Sequence, residues 1–75
     1  MKIFGYPRRT VNEDGLIELE DITFQAEPEI LTEIGKFILE MAETIKSKNG
    51  NFDHSHLQDK WKGWKKEYPD VIVAK

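Results

Sequence analysis

The stretch PEILTEIGKFILEMAETIKSK, Pro28 to Lys48, decides the fold. Ile30, Ile34, Phe37, Ile38, Met41 and Ile45 recur at the three-and-four spacing of one helical stripe, while Glu29, Glu33, Lys36, Glu40 and Glu43 take the wet side. Pro28 suits the first helical position, where its missing N–H is no loss, and Glu27 and Glu29 stand where the helix dipole favours negative charge. Lys46, Lys48, Asn49 and Gly50 supply a cationic stop rich in residues that tolerate left-handed backbone. The pattern predicts a helix from Pro28 to Lys48, buried along one side. Everything else must cover that stripe.

Upstream, Lys2 to Tyr6 reads as a short strand closed by Pro7, which cannot donate to a ladder. Asn12-Glu13-Asp14-Gly15 is turn chemistry. Leu16 to Ala26 reads as a long strand whose parity changes: Ile17 and Leu19 share one face, and Ile22, Phe24 and Ala26 the other. A β-bulge near Glu20-Asp21 restores a single buried face. Downstream, Phe52 to Gln58 alternates as a strand, and Val71 to Ala74 is a β-branched strand after the breaker pair Pro69-Asp70. Between them Trp61, Trp64 and Tyr68 keep helical spacing around Gly63, which predicts a helical turn or an ordered loop. The order is β-β-α-β-β, an α+β domain with a mainly antiparallel sheet of about four strands on one long helix.

Seventy-five residues make one domain, residues 1–75, with 39% hydrophobic and 33% charged residues, an ordinary globular composition. The absence of cysteine excludes a disulfide framework and a thiolate zinc site, and makes a reducing cytoplasm the expected location. The first residues hold no apolar h-region, so no classical secretory signal is expected, and no apolar run approaches the roughly 18 residues of a membrane span. The net charge of −3 is uneven. From Glu13 to Glu43 ten carboxylates face Lys36 alone, so that segment carries −9 and the remainder +6. Such separation favours charge-steered association.

Both histidines and both tryptophans fall between His54 and Trp64. On a strand, period-two geometry places Phe52, His54, His56 and Gln58 on one face and Asp53, Ser55, Leu57 and Asp59 on the other. His-x-His is a metal-ligand spacing to which Asp53, Asp59 or Asp70 could add a carboxylate, but two imidazoles fall short of the three protein ligands of a catalytic zinc site and the strand turns Asp53 and Asp59 away, which leaves a metal-binding protein as the lesser alternative. Ser55 likewise points away from its histidine neighbours, which disfavours a Ser-His relay. There is no phosphate loop, no G-x-S-x-G and no H-E-x-x-H. Neither an enzyme, a metal nor a cofactor is expected. Lys60-Trp61-Lys62-Gly63-Trp64-Lys65-Lys66 has the composition of a nucleic-acid stacking platform, yet a pI near 5.3 and an acidic helix oppose that partner.

Gly5-Tyr6-Pro7, Asp14-Gly15-Leu16-Ile17-Glu18-Leu19, Pro28 ahead of the helix, His54-Ser55-His56-Leu57-Gln58-Asp59, Trp64 and the closing Pro69-Asp70-Val71-Ile72-Val73 form a combination. It resembles a small immunity-protein family of bacterial polymorphic toxin systems, the immunity protein 32 family, over nearly the whole chain. The resemblance implies a cytoplasmic α+β protein that binds and neutralises a cognate toxin domain.

On that expectation, His54, His56, Gln58 and Asp59 supply directional polar contacts to the toxin, and Trp61 and Trp64 supply interface anchors. The acidic helix face steers a basic partner. The alternative for the same residues is a purely structural role, with the histidines bonded to neighbouring strands and Trp64 closing the core. A second functional alternative is a homodimerising structural or regulatory module.

Overall fold

The computed structural model describes residues 1–48 and 51–75. Pro28 opens helix α1 (Pro28–Ser47), and the Glu27 carbonyl accepts the amides of Ile30 and Leu31, both at 3.0 Å. At the other end the Lys48 N–H closes on the Thr44 carbonyl at 3.0 Å. The predicted Asn49-Gly50 stop lies outside the described residues.

Ile34, Phe37 and Met41 are the buried stripe of α1, joined by Leu57 in the core. Ile30 and Ile45 are half-buried beside them. Ile38 departs from the expected stripe and stays 42% exposed. One residue is about 100° of helical turn, so Ile38 stands on the flank of Phe37, beyond the narrow strip that the strands cover.

The N-terminal half is one long antiparallel hairpin with a bend. Strand β1 (Lys2–Phe4) pairs with β4 (Thr23–Gln25), and β2 (Pro7–Val11) pairs with β3 (Ile17–Leu19). Between the pairs Phe4↔Thr23 and Pro7↔Leu19 three steps run along one side and four along the other. That one-residue excess is the bulge predicted near Glu20-Asp21. Two of its bonds are visible: the Glu20 amide donates to the Tyr6 carbonyl at 2.8 Å, and the Tyr6 amide donates to Asp21 Oδ1 at 3.0 Å.

Two expectations change here. Pro7 opens β2 instead of closing the first strand, because the first residue of a strand tolerates a missing donor. The bulge also fails to bury both apolar sets. Phe24 packs against the core, whereas Ile17, Leu19 and Ile22 remain 58%, 43% and 53% exposed. Every residue from Phe4 to Thr23 is exposed, so β2 and β3 form an arm that projects beyond the core.

The C-terminal half places β5 (His54–His56) antiparallel to β6 (Ile72–Ala74). The predicted strand Phe52 to Gln58 stops at His56, because Leu57 turns into the short helix α2 (Leu57–Lys60) and is buried there. Phe52, Trp61, Trp64, Val71 and Val73 complete the core against α1. The result is the expected α+β architecture, with the strands drawn as three two-stranded antiparallel ribbons. Among the described residues, no helix is long and apolar enough to cross a membrane.

Candidate functional site

The β5–β6 register sets the faces of the histidine motif. His54 lies opposite Ala74 and His56 opposite Ile72, while Ser55 pairs with Val73, which packs on the core. The imidazoles therefore share the outer face, as the alternation predicts, and Ser55 turns inward. Their ring centroids are 5.0 Å apart and the rings meet edge to face at 73°.

Each ring is held by a carboxylate. His54 Nδ1 lies 2.6 Å from Asp53 Oδ2, and His56 Nδ1 lies 2.6 Å from Asp70 Oδ2. An ionised carboxylate only accepts, so both rings carry their proton on Nδ1 and leave Nε2 as the second nitrogen. This corrects the expectation that strand geometry keeps nearby carboxylates from the imidazoles. Asp53 precedes β5 and escapes its alternation, and Asp70 arrives from 14 residues away along the chain.

Asp70 does more than hold a ring. Its Oδ1 accepts the Val71 amide at 2.9 Å and the Gln58 amide at 3.0 Å. Gln58 is in the first turn of α2, whose own preceding residue, His56, makes no side-chain cap. Asp70 thus caps α2 from outside, and the Leu57 amide donates to the Val71 carbonyl at 2.8 Å alongside it. A motif that reads as a breaker in sequence is the junction of β5, α2 and β6.

The remaining candidates divide. Gln58 and Asp59 stand exposed on α2. Trp61 and Trp64 are half-buried against the core; Trp64 Nε1 donates to the Pro69 carbonyl at 3.3 Å, and Trp61 stacks on Tyr68 with centroids 6.1 Å apart. Gly63 makes room for this, since a Cβ there would meet Trp61 Nε1 at 2.7 Å.

The histidine face borders an open groove of about 400 Å³, whose other wall is the hairpin turn with Glu13, Asp14 and Leu16. That turn is well made. Asn12 Oδ1 accepts the amides of Asp14 at 2.9 Å and Leu16 at 2.8 Å, and Gly15 takes a left-handed φ of 82°. The groove thus collects Glu13, Asp14, Asp53 and two imidazoles, with Lys75 as a cation on the same lining. No cluster of three or more metal-binding side chains occurs among the described residues. The sequence reading named Asp70 beside the histidines but missed its cap on α2, and it missed the groove. Both depend on contacts between segments that local periodicity does not register.

Compared with protein-family models, curated proteins and solved structures, the chain has no match.

Proposed function

We propose that this chain is a non-enzymatic binding protein of the immunity type, which neutralises a cognate toxin domain by covering its active site. One observation carries the reading: the fold leaves more surface uncovered than it should. A folded monomer of 8.8 kDa exposes about 4,800 Å² by mass scaling, whereas this chain exposes 6123 Å². Its radius of gyration is 13.4 Å, against about 11 Å for a compact chain of this length. The excess, about 1,300 Å², is more than the roughly 800 Å² that a standard interface buries on each partner.

The chemistry of the partner follows from charge. A segment carrying −9 attracts a basic cleft and occupies the ground that an anionic substrate would take. The exposed His54, Gln58 and Asp59 offer polar contacts, and His56, Trp61 and Trp64 hold the surface beneath them in shape. Such a protein acts in the cytoplasm of the cell that makes the toxin.

The test is co-expression with a toxin domain encoded beside its gene, scored as survival. Rescue by this chain is expected. Undiminished killing, or the lack of any neighbouring toxin gene, overturns the reading.

A further inference from the structure

We infer that the principal docking surface is the apolar face of the β2–β3 arm, to which His54, Gln58 and Asp59 are accessory, and that its occupant is a basic protein presenting an apolar strip flanked by lysine and arginine. The inference rests on the binding-protein reading and names its surface and partner chemistry.

The arm is amphipathic across its own thickness. Pro7 pairs with Leu19 and Val11 with Ile17, and paired residues in an antiparallel ribbon share a face. Val11 and Ile17 are each 58% exposed, and Leu19 is 43% exposed. Between those two pairs the register shifts, with Arg8, Arg9 and Thr10 opposite Glu18 alone, and Arg8 meets Glu18 at 3.6 Å. Val11, Ile17 and Leu19 thus give the ribbon an apolar patch that nothing among the described residues covers.

The arm is also held in shape. A lone two-stranded hairpin is marginal in water, yet here Asn12 bonds the turn and Asp21 bonds the bend. Gly5 lets the Leu19 side chain and the Asp21 carbonyl close over the bend, at 3.0 and 2.5 Å from where a Cβ would stand. An apolar strip of fixed geometry costs less ordering on docking than a loose one.

Charge selects the occupant. From Pro7 to Ile22 the arm carries Glu13, Asp14, Glu18, Glu20 and Asp21 against Arg8 and Arg9, a net −3, and Arg8 is already taken up by Glu18. A second copy fits badly on that account: pairing β3 with its twin brings Glu18 towards Glu18, and pairing β2 with its twin brings Arg8 and Arg9 towards their own copies. Stacked face to face about a two-fold axis along the strands, β2 lies over the twin's β3 and these charges match, but each arm's net −3 still repels its copy. A basic partner satisfies the strip and the carboxylates together.

The experiment is an amide NMR titration of the intact chain with a short peptide alternating lysine and valine, against a control alternating glutamate and valine. Saturable shifts confined to residues 7–19 are expected with the lysine peptide alone, weakening as salt rises. The double variant Val11→Ser/Ile17→Ser, at exposed positions, should weaken binding roughly tenfold with core resonances unmoved. Equal response to both peptides, shifts centred on residues 54–61, or a dimer in sedimentation that already covers the arm overturns the inference. A toxin that the chain neutralises but that binds the double variant at full strength sinks the arm and spares the immunity reading. An arm that takes the lysine peptide in a chain giving no protection does the reverse.

Discussion

The Asp70 carboxylate reaches His56 at 2.6 Å through one oxygen while the other accepts the amides of Gln58 and Val71. One side chain thereby ties the end of β5, the start of α2 and the approach to β6. Asp70→Ala removes three bonds and leaves the α2 amide without its cap. With the Asp70 side chain only 19% exposed, we expect a loss of about 2–4 kcal/mol in urea unfolding. Asp70→Asn keeps an acceptor but sets an amide beside a donor ring nitrogen, and should fall between. A loss below about 0.5 kcal/mol for the alanine variant would remove Asp70 from this role.

The narrowness of the stripe on α1 is open to direct measurement. Met41 is 2% exposed and Ile38 is 42% exposed. Met41→Ala should cost about 2–5 kcal/mol, enough to unfold much of so small a domain, whereas Ile38→Ala should cost under about 1 kcal/mol. Equal costs in chemical denaturation would mean that Ile38 is covered after all.

Gly5 is needed by the bend. Its Cβ would stand 2.5 Å from the Asp21 carbonyl oxygen, a backbone atom that moves only with the chain. Gly5→Ala should therefore cost roughly 1–3 kcal/mol and open the Tyr6–Asp21 bond, seen as faster hydrogen exchange at the Tyr6 amide. Unchanged exchange there would show that the bend absorbs a methyl freely.

The turn of the arm should respond locally. Asn12→Ala leaves the Asp14 and Leu16 amides without their acceptor, and Asn12→Asp retains it. We expect the alanine variant to lose about 1 kcal/mol, with faster exchange confined to residues 7–19, and the aspartate variant to resemble the parent. Faster exchange spreading to α1 would contradict an arm that projects from the core.

Much of this was legible from local chemistry. Helix α1 follows from side-chain period, Pro28 and first-turn charge, all properties of neighbours in the chain. The bulge near Glu20-Asp21 follows from a parity change that a continuous strand would not tolerate. The outward pairing of His54 and His56, with Ser55 turned inward, needs only the alternation of a strand. The end of β5 at His56 was not legible, because the cap that starts α2 comes from Asp70, far along the chain. Nor was the exposure of Ile17, Leu19 and Ile22, since a period marks which side chains agree on a face and never whether anything covers it.

Sequence alone therefore determined the elements: one amphipathic helix, its acidic face, the bulged hairpin and the histidine alternation, each set by interactions a few residues long. Tertiary structure decided coverage and junctions. The helix is too narrow to shelter the whole hairpin, so β2 and β3 stand clear of the core, and a carboxylate 14 residues from His56 holds the motif in place. Burial depends on what folds back within reach, and that is a property of the closed chain.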